Sequence, residues 1–77
     1  MKQVAINKYH IGNKIKELRL NYHLTISQLA DYLYVSGYTI RLWEKDIAFP
    51  KLINLINMCN MFYITLDDLI GYKFVND

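Results

Sequence analysis

The chain has 77 residues, of which 53% are hydrophobic, and a formal net charge of +2 at pH 7. A chain of this length is expected to form one domain with a small core. Its single cysteine, Cys59, excludes an intrachain disulfide and suits a reducing, cytoplasmic location. No apolar run is long enough for a signal peptide or a membrane span, so no membrane association is expected.

The charges are distributed unevenly along the chain. Residues 1–51 carry eight Lys and Arg against four Asp and Glu, whereas residues 52–77 carry one Lys against three Asp. The first segment is therefore +4 and the second −2. A basic segment favours an anionic partner such as nucleic acid, although sixteen charges can also divide in this way by chance.

The first helix is predicted over about residues 11–22, after an N-terminal arm of residues 1–10. Apolar residues recur on one face of this helix at helical spacing: Ile11, Ile15, Leu18 and Tyr22. His10 and His23 lie on either side of the helix without further ligands at metal-binding spacing, so no metal site is expected.

Residues 24–50 contain two short amphipathic patterns joined by a tight turn. The first begins at Thr25, and Gln28 three residues later completes a capping box. The second begins at Ser36, a favourable N-cap, and places Ile40 and Trp43 at inward positions. This layout is typical of a helix-turn-helix, whose second helix enters the major groove of DNA.

Two more helices are predicted after a loop. Pro50 is placed at the start of helix 4, where its missing N–H costs nothing, and Thr65 caps a short helix 5 that ends at Gly71. The residues predicted to face inward are Leu52, Leu55, Ile56, Cys59 and Phe62 on helix 4 and Leu66, Leu69 and Ile70 on helix 5. No strand is predicted, and residues 72–77 form a tail, so the fold class is all-α with five helices.

Short motifs follow one another in a defined order: Ile11-Gly12, Ile15-Lys16-Glu17-Leu18-Arg19, Leu24-Thr25, Leu29-Ala30, Val35-Ser36, Thr39-Ile40, Trp43-Glu44, Pro50 and Asp67-Asp68-Leu69. In this order and spacing, the set resembles the Cro/C1-type (XRE-like) helix-turn-helix family of phage repressors and bacterial regulators. The resemblance covers roughly residues 11–71 and implies a lambda-repressor-like DNA-binding domain there. It further implies a sequence-specific, repressor-like transcriptional regulator that binds double-stranded DNA as a homodimer.

The third helix is predicted to carry the DNA-reading face. A helical wheel places five of its residues in one outward arc of about 140°: Gly37, Tyr38, Arg41, Leu42 and Lys45. With the contacts that the resemblance implies near the helix starts, the predicted DNA-binding residues are Ile26, Ser36, Gly37, Tyr38, Thr39, Arg41, Leu42 and Lys45. Arg41 is the candidate for guanine, because its guanidinium can donate to both N7 and O6. Lys14, Lys16, Lys45 and Lys51 are candidate phosphate contacts.

An alternative function is open at this point. Tyr38, Leu42, Ile47 and Phe49 would also suit an interaction module, a helix-turn-helix scaffold that binds another regulator rather than DNA. Arg41, Lys45 and the charge distribution favour DNA. An apolar surface formed by Ile53, Asn57, Asn60, Met61, Tyr72, Phe74 and Val75 is a candidate dimer contact, with second-layer packing as the other interpretation.

The chain departs from the family at helix ends and at Ile26, where many relatives have a glutamine. Relatives often have glycine where this chain has His23, Tyr34, Asp46 and Tyr63. Either these turns differ from those of relatives, or the four residues adopt the left-handed conformation at a cost.

The resemblance also implies a structural ion pair between Arg19 and Glu44. Both residues lie beside inward positions, where charged side chains are rarely buried without a partner. No nucleophile elbow, phosphate loop or paired catalytic carboxylates are found, since Asp67 and Asp68 suit the first turn of a helix. Enzymatic activity, a cofactor and a small-molecule substrate are therefore not expected.

Overall fold

The structure is a computed structural model that describes the backbone of residues 2–5, 8–71 and 73–76 and the side chains of residues 11–71. The five predicted helices are confirmed as α1 (Lys8–Asn21), α2 (Ile26–Leu33), α3 (Gly37–Glu44), α4 (Leu52–Phe62) and α5 (Leu66–Ile70). Helix α1 begins within the predicted N-terminal arm. The side chains of His10, Tyr72, Phe74 and Val75 lie outside the described residues.

Two short strands join the ends of the chain, which the sequence did not predict. Strand β1 (Lys2–Ala5) pairs antiparallel with β2 (Lys73–Asn76), with Val4 opposite Phe74. The expectation of a chain without strands is therefore wrong, although the body between the strands is helical. Each strand has only four residues, and no turn sequence links the two, so neither of the usual local signals of a hairpin was available.

The core draws apolar side chains from all five helices. Its buried members are Ile11, Ile15 and Leu18 of α1, Leu29, Ala30 and Leu33 of α2, Ile40 and Trp43 of α3, Leu55, Met58 and Phe62 of α4, and Leu69 of α5. The hydroxyl of Tyr22 donates to the carbonyl of Phe62 over 2.9 Å, and the two rings meet edge to face. This contact ties the end of α1 to the end of α4.

The buried face of α4 differs from the prediction. Leu55 and Phe62 are buried as expected, but Leu52 is 62% exposed, and Met58 is fully buried instead. The helix is apolar on almost every side, so periodicity alone could not identify the face that meets the core. The helix also starts later than predicted, because its N-cap is Lys51 and Pro50 precedes the cap.

Other predicted inward positions of α4 and α5 are only partly covered. Ile56 and Leu66 are exposed, Ile70 is half-buried, and Leu69 alone is fully buried on α5. Cys59 is half-buried rather than a full core residue. Burial, together with the charge of Asp67, raises the pKa of its thiol, which keeps the thiol protonated and poorly reactive.

All four helix-end residues that stand where relatives often have glycine adopt left-handed backbone conformations. The φ angles are 57° at His23, 56° at Tyr34, 58° at Asp46 and 55° at Tyr63. The chain therefore makes these turns in the left-handed conformation and accepts the steric cost of a Cβ atom in each of them. The rings of Tyr34 and Tyr63 are 95% and 88% exposed, so packing within the described chain does not offset that cost.

At Asp46 the side chain does offset part of the cost. Its Oδ1 accepts a hydrogen bond of 3.0 Å from the backbone N–H of Gly12 on α1. A Cβ atom on Gly12 would lie 2.5 Å from that oxygen and 2.7 Å from the carbonyl of Trp43. Glycine at position 12 is thus required by the close approach of the turn that follows α3.

Helix α3 is also fastened to α1 by the predicted ion pair. The Nε of Arg19 donates to Oε2 of Glu44 over 2.7 Å, and Nη2 donates to Oε1 over 3.1 Å. The third edge of the guanidinium, Nη1, donates to the carbonyl of Leu24 over 3.0 Å. The side chains are only 9% and 8% exposed, so the pair is a buried clamp between α1, the start of α2 and the end of α3.

Replacing Tyr34 with glycine should stabilise the fold. Tyr34→Gly relieves the left-handed strain and loses little packing, so a gain of up to about 1 kcal/mol is expected, reduced by the larger entropy of the unfolded chain. Tyr32→Gly is the matched control, because Tyr32 is an exposed residue inside α2 and should lose about 0.5 kcal/mol in helix propensity. Urea unfolding measures both. A loss of stability in Tyr34→Gly as large as that of the control would contradict the strain argument.

Removing one partner of the Arg19–Glu44 pair should destabilise the protein strongly. Arg19→Met leaves the Glu44 carboxylate and the Leu24 carbonyl without their donor, at a cost of about 3–5 kcal/mol. The double change Arg19→Met/Glu44→Leu should recover much of this loss, because no buried charge is then left without a partner. Thermal unfolding followed by circular dichroism tests the pair. Additive losses in the double variant would show that the two side chains do not act together.

Candidate nucleic-acid interface

The start of α2 is built by local hydrogen bonds. The backbone N–H of Gln28 donates to Oγ1 of Thr25 over 3.0 Å, and the N–H of Thr25 donates to Oε1 of Gln28 over 2.8 Å. This reciprocal pair is the predicted capping box. It fixes the position of Ile26, the first residue of α2, which is half-buried.

The start of α3 is fixed in a similar way. The N–H of Thr39 donates to Oγ of Ser36 over 3.1 Å, and the two hydroxyls lie 3.0 Å apart. Both side chains were predicted to contact DNA, yet in the free protein their hydroxyls are engaged with each other and with the helix start. Ser36 stays exposed and Thr39 is half-buried.

The outward side of α3 carries the other predicted contacts. Tyr38 is 67% exposed, and Arg41 and Lys45 are also exposed. Leu42 is half-buried, so it presents only part of its side chain. Because Ile40 and Trp43 are held in the core, this orientation of α3 is determined by packing rather than by the polar residues themselves.

Gly37 lies at the junction of α2 and α3. A Cβ atom added there would meet only Cγ2 of Ile26, at 3.5 Å, which is an ordinary contact distance. The packing of the chain itself therefore does not require glycine at position 37. The apolar side chain of Ile26 lies beside this junction.

Side chains from three helices line a cleft of about 270 Å³ beside the outward face of α3: Lys16 and Arg19 of α1, Ile26 of α2, and Arg41, Glu44 and Lys45 at the end of α3. Four of these six residues are cations and one is an anion. The anion, Glu44, is already paired with Arg19. The cleft is thus a basic surface next to the predicted reading face.

Hydrogen bonding to Glu44 keeps Arg19 charged. That bond raises the pKa of the Arg19 guanidinium, the charge of Glu44 acts in the same direction, and burial opposes both. Arg19 therefore keeps its positive charge at physiological pH, next to the carboxylate of Glu44.

The structure separates the four candidate phosphate contacts. Lys16 and Lys45 line the same cleft, although they are far apart in sequence. Lys51 lines a different cleft, with Thr39, Trp43 and Phe49 among its neighbours. Lys14 is half-buried on α1 and lines neither cleft. The role of Gly12 in holding the turn after α3 was also missed by the sequence, because it depends on a contact with a residue 34 positions away.

Within the part of the chain that the structure describes, no helix has the length and apolar character needed to cross a membrane.

Comparisons with known proteins place the helical fold among bacterial and phage regulators. No family model matches the chain. Over 60 residues, it is 37% identical to the HTH-type transcriptional activator BcrR of Enterococcus faecalis, a match that covers 78% of this chain and 29% of that protein. The chain thus spans less than a third of the length of this relative.

Three solved structures share the fold. A transcriptional regulator from Listeria innocua superposes with a TM-score of 0.78 at 24% identity, over 87% of this chain and 61% of that one. The P22 c2 repressor, solved in complex with a synthetic operator, gives a TM-score of 0.73 at 23% identity, over 78% of this chain and 91% of that one. The restriction-modification controller protein C.AhdI from Aeromonas hydrophila gives 0.72 at 19% identity, over 82% of this chain and 96% of that one.

These matches extend over most of the chain and agree with the order of its motifs, its two capped helices and the buried side of α3. The chain therefore has the helix-turn-helix fold of these three structures, and over 60 residues it is similar in sequence to an HTH-type transcriptional activator.

Proposed function

We propose that the protein is a sequence-specific transcriptional regulator that binds double-stranded DNA with α3 in the major groove. The observation that carries this proposal is the outward side of α3, where Tyr38, Arg41 and Lys45 are exposed beside a basic cleft. A major groove about 12 Å wide admits one helix with its side chains. Helix α3 presents polar and cationic groups on the side that would enter it.

Side-chain chemistry assigns different roles to the exposed residues of α3 and to Lys16 of α1. Arg41 has a planar guanidinium that can donate two parallel hydrogen bonds to a guanine. Lys16 and Lys45, as flexible point charges, suit phosphate oxygens, which fix the register but carry no sequence information. Tyr38 supplies a hydroxyl for a phosphate or a ring for a thymine methyl group.

The similar proteins support this assignment. One is named a transcriptional activator, and another was solved in complex with an operator. Repressor-like action is the expectation from the family resemblance. Either outcome is compatible with the same DNA-binding face, because activation and repression differ in where the operator lies relative to the promoter.

A homodimer is the second part of the proposal. Two α3 helices would then read half-sites separated by one turn of DNA, about 34 Å. Support comes from the apolar side chains that α4 leaves in solvent, among them Leu52, Ile53 and Ile56. A row of such residues on one helix favours a protein contact.

The alternative is an interaction module that uses the same scaffold to bind another regulator. Exposed Tyr38, Ile47 and Phe49 favour it, because aromatic residues are enriched at protein interfaces. The two functions predict a different salt dependence of the binding affinity. Binding to DNA releases counterions and therefore weakens as salt rises, whereas an apolar protein contact depends much less on salt.

Binding to duplex DNA should weaken steeply with salt. Three to four phosphates neutralised by each subunit predict a slope of about −3 to −4 in a plot of log K against log salt concentration. Selection from a random duplex library, followed by titration of the selected sequence from about 50 to about 300 mM KCl, a range that spans physiological salt, measures this slope. Affinity that does not change over the range would favour the interaction module.

Arg41 and Lys45 should affect binding in different ways. Arg41→Ala removes a bidentate guanine contact worth about 1–3 kcal/mol and should relax the preference at one base position in each half-site. Lys45→Ala should weaken all sequences alike and reduce the salt slope by about one per subunit.

The readout is the sequence profile of each variant from the same duplex library. Lys51→Ala serves as a control for the profile, because Lys51 is a candidate phosphate contact outside the basic cleft and should leave the base preferences unchanged. Identical profiles for Arg41→Ala and Lys45→Ala would mean that Arg41 is only a backbone anchor.

A further inference from the structure

The basic cleft contains one carboxylate that could neutralise it. Glu44 lines the cleft together with Lys16, Arg41 and Lys45. Both of its oxygens are occupied by Arg19, at 2.7 Å and 3.1 Å. Among residues 11–71, Arg19–Glu44 is the ion pair that the structure forms in the cleft. The cations Lys16, Arg41 and Lys45 therefore remain available to bind an anion.

The helix positions make the alternative pairings easy to reach. Lys16 precedes Arg19 by three residues on α1, and Arg41 precedes Glu44 by three residues on α3. Residues three apart on a helix are neighbours on its surface and readily form ion pairs. If Arg19 did not hold Glu44, the carboxylate would be within reach of Arg41 on its own helix and of Lys16 across the cleft.

Arg19 itself is not available to a ligand. Its three donating edges are taken by Glu44 and by the carbonyl of Leu24, and its side chain is 9% exposed. Because so little of Arg19 is exposed, its expected effect on anion binding is the one that acts through Glu44.

We propose that Arg19 is a positioning residue for phosphate binding. By engaging both oxygens of Glu44, it prevents this carboxylate from pairing with Lys16, Arg41 or Lys45, and so keeps the cleft open to one phosphate of the DNA backbone. The inference rests on the proposed function, because it assigns a backbone phosphate to a cleft beside the reading helix. It gives the ion pair an electrostatic role in binding in addition to its role in stability.

Two single variants separate the roles. Arg19→Gln and Glu44→Gln both break the ion pair and should both lower the melting temperature. Their effects on duplex affinity should have opposite signs. Arg19→Gln frees Glu44 to neutralise one cation, so one phosphate contact is lost. The salt slope should then become shallower by about 0.9, which corresponds to an affinity about eightfold lower at 0.1 M salt relative to a 1 M reference. Glu44→Gln should bind as tightly as the wild type or more tightly.

Two double variants exclude a simple effect of net charge. Arg19→Gln/Glu44→Gln and Arg19→Gln/Glu17→Gln both restore the wild-type net charge, and Glu17 is an exposed residue of α1 outside the cleft. Only the first removes the carboxylate that would occupy the cleft. Recovery of the affinity and the salt slope in the first double variant, and not in the second, is the expected result.

Equal recovery in both double variants would show a long-range charge effect and would overturn the proposal. Loss of affinity in Glu44→Gln as large as in Arg19→Gln would show a purely structural role and would also overturn it. Circular dichroism at the binding temperature establishes that each variant is folded. If Arg19→Gln is not folded, Arg19→Lys replaces it, since a lysine holds the carboxylate through a single point contact and should give a smaller loss of the same kind.

Inorganic phosphate provides a readout that does not depend on DNA recognition. Titrated into the wild type and followed by NMR, it should shift the amide signals of Lys16, Arg41 and Lys45, and Arg19→Gln should reduce these shifts. A wild type that responds to phosphate but does not bind duplex DNA contradicts the proposed function alone. A wild type that binds duplex DNA but shows no effect of Arg19→Gln on affinity or slope contradicts the role of Arg19 alone.

Discussion

The position of α3 on α1 is the constraint on which the rest of the molecule depends. A short helix can present a specific set of side chains only if its rotation and its distance from the body are fixed. Here the rotation is fixed by Ile40 and Trp43, which are buried on one side of the helix. The distance is fixed by Arg19, which joins α1 to the end of α3 through two hydrogen bonds to Glu44. Because these contacts hold α3 in place, the outward residues of the helix are not needed to stabilise its position.

Local chemistry made the helix starts predictable. Thr25, Ser36 and Thr65 each accept a hydrogen bond from an N–H three residues ahead, and that spacing is visible in the sequence. The same holds for the left-handed turns. The order of the motifs predicts which residues stand where glycine is expected, but not whether these residues adopt the left-handed conformation. The positive φ angles show that they do.

Features that depend on distant parts of the chain could not be predicted. The pairing of β1 with β2 joins the two ends of the chain, and nothing local to either segment requires it. The buried face of α4 was misassigned because Leu52 and Met58 are equally apolar and only the shape of the neighbouring helices distinguishes them. The cleft that brings Lys16 together with Lys45 is likewise assembled from three helices. Sequence identified the two lysines as separate candidates, but it contained no signal that they share a site.

The contact between Gly12 and Asp46 has a consequence for how the protein can change. A carboxylate at position 46 occupies the space that any side chain at position 12 would need. A smaller residue at position 46 would not make room for alanine at position 12, because its Cβ atom would still lie 2.7 Å from the backbone carbonyl oxygen of Trp43. The dependence runs in one direction: the carboxylate at position 46 needs glycine at position 12, but loss of the carboxylate does not release position 12. Among sequences that keep this close approach of α1 to α3, position 12 should therefore stay glycine, whereas position 46 is free to change to glycine, which would remove the left-handed strain there.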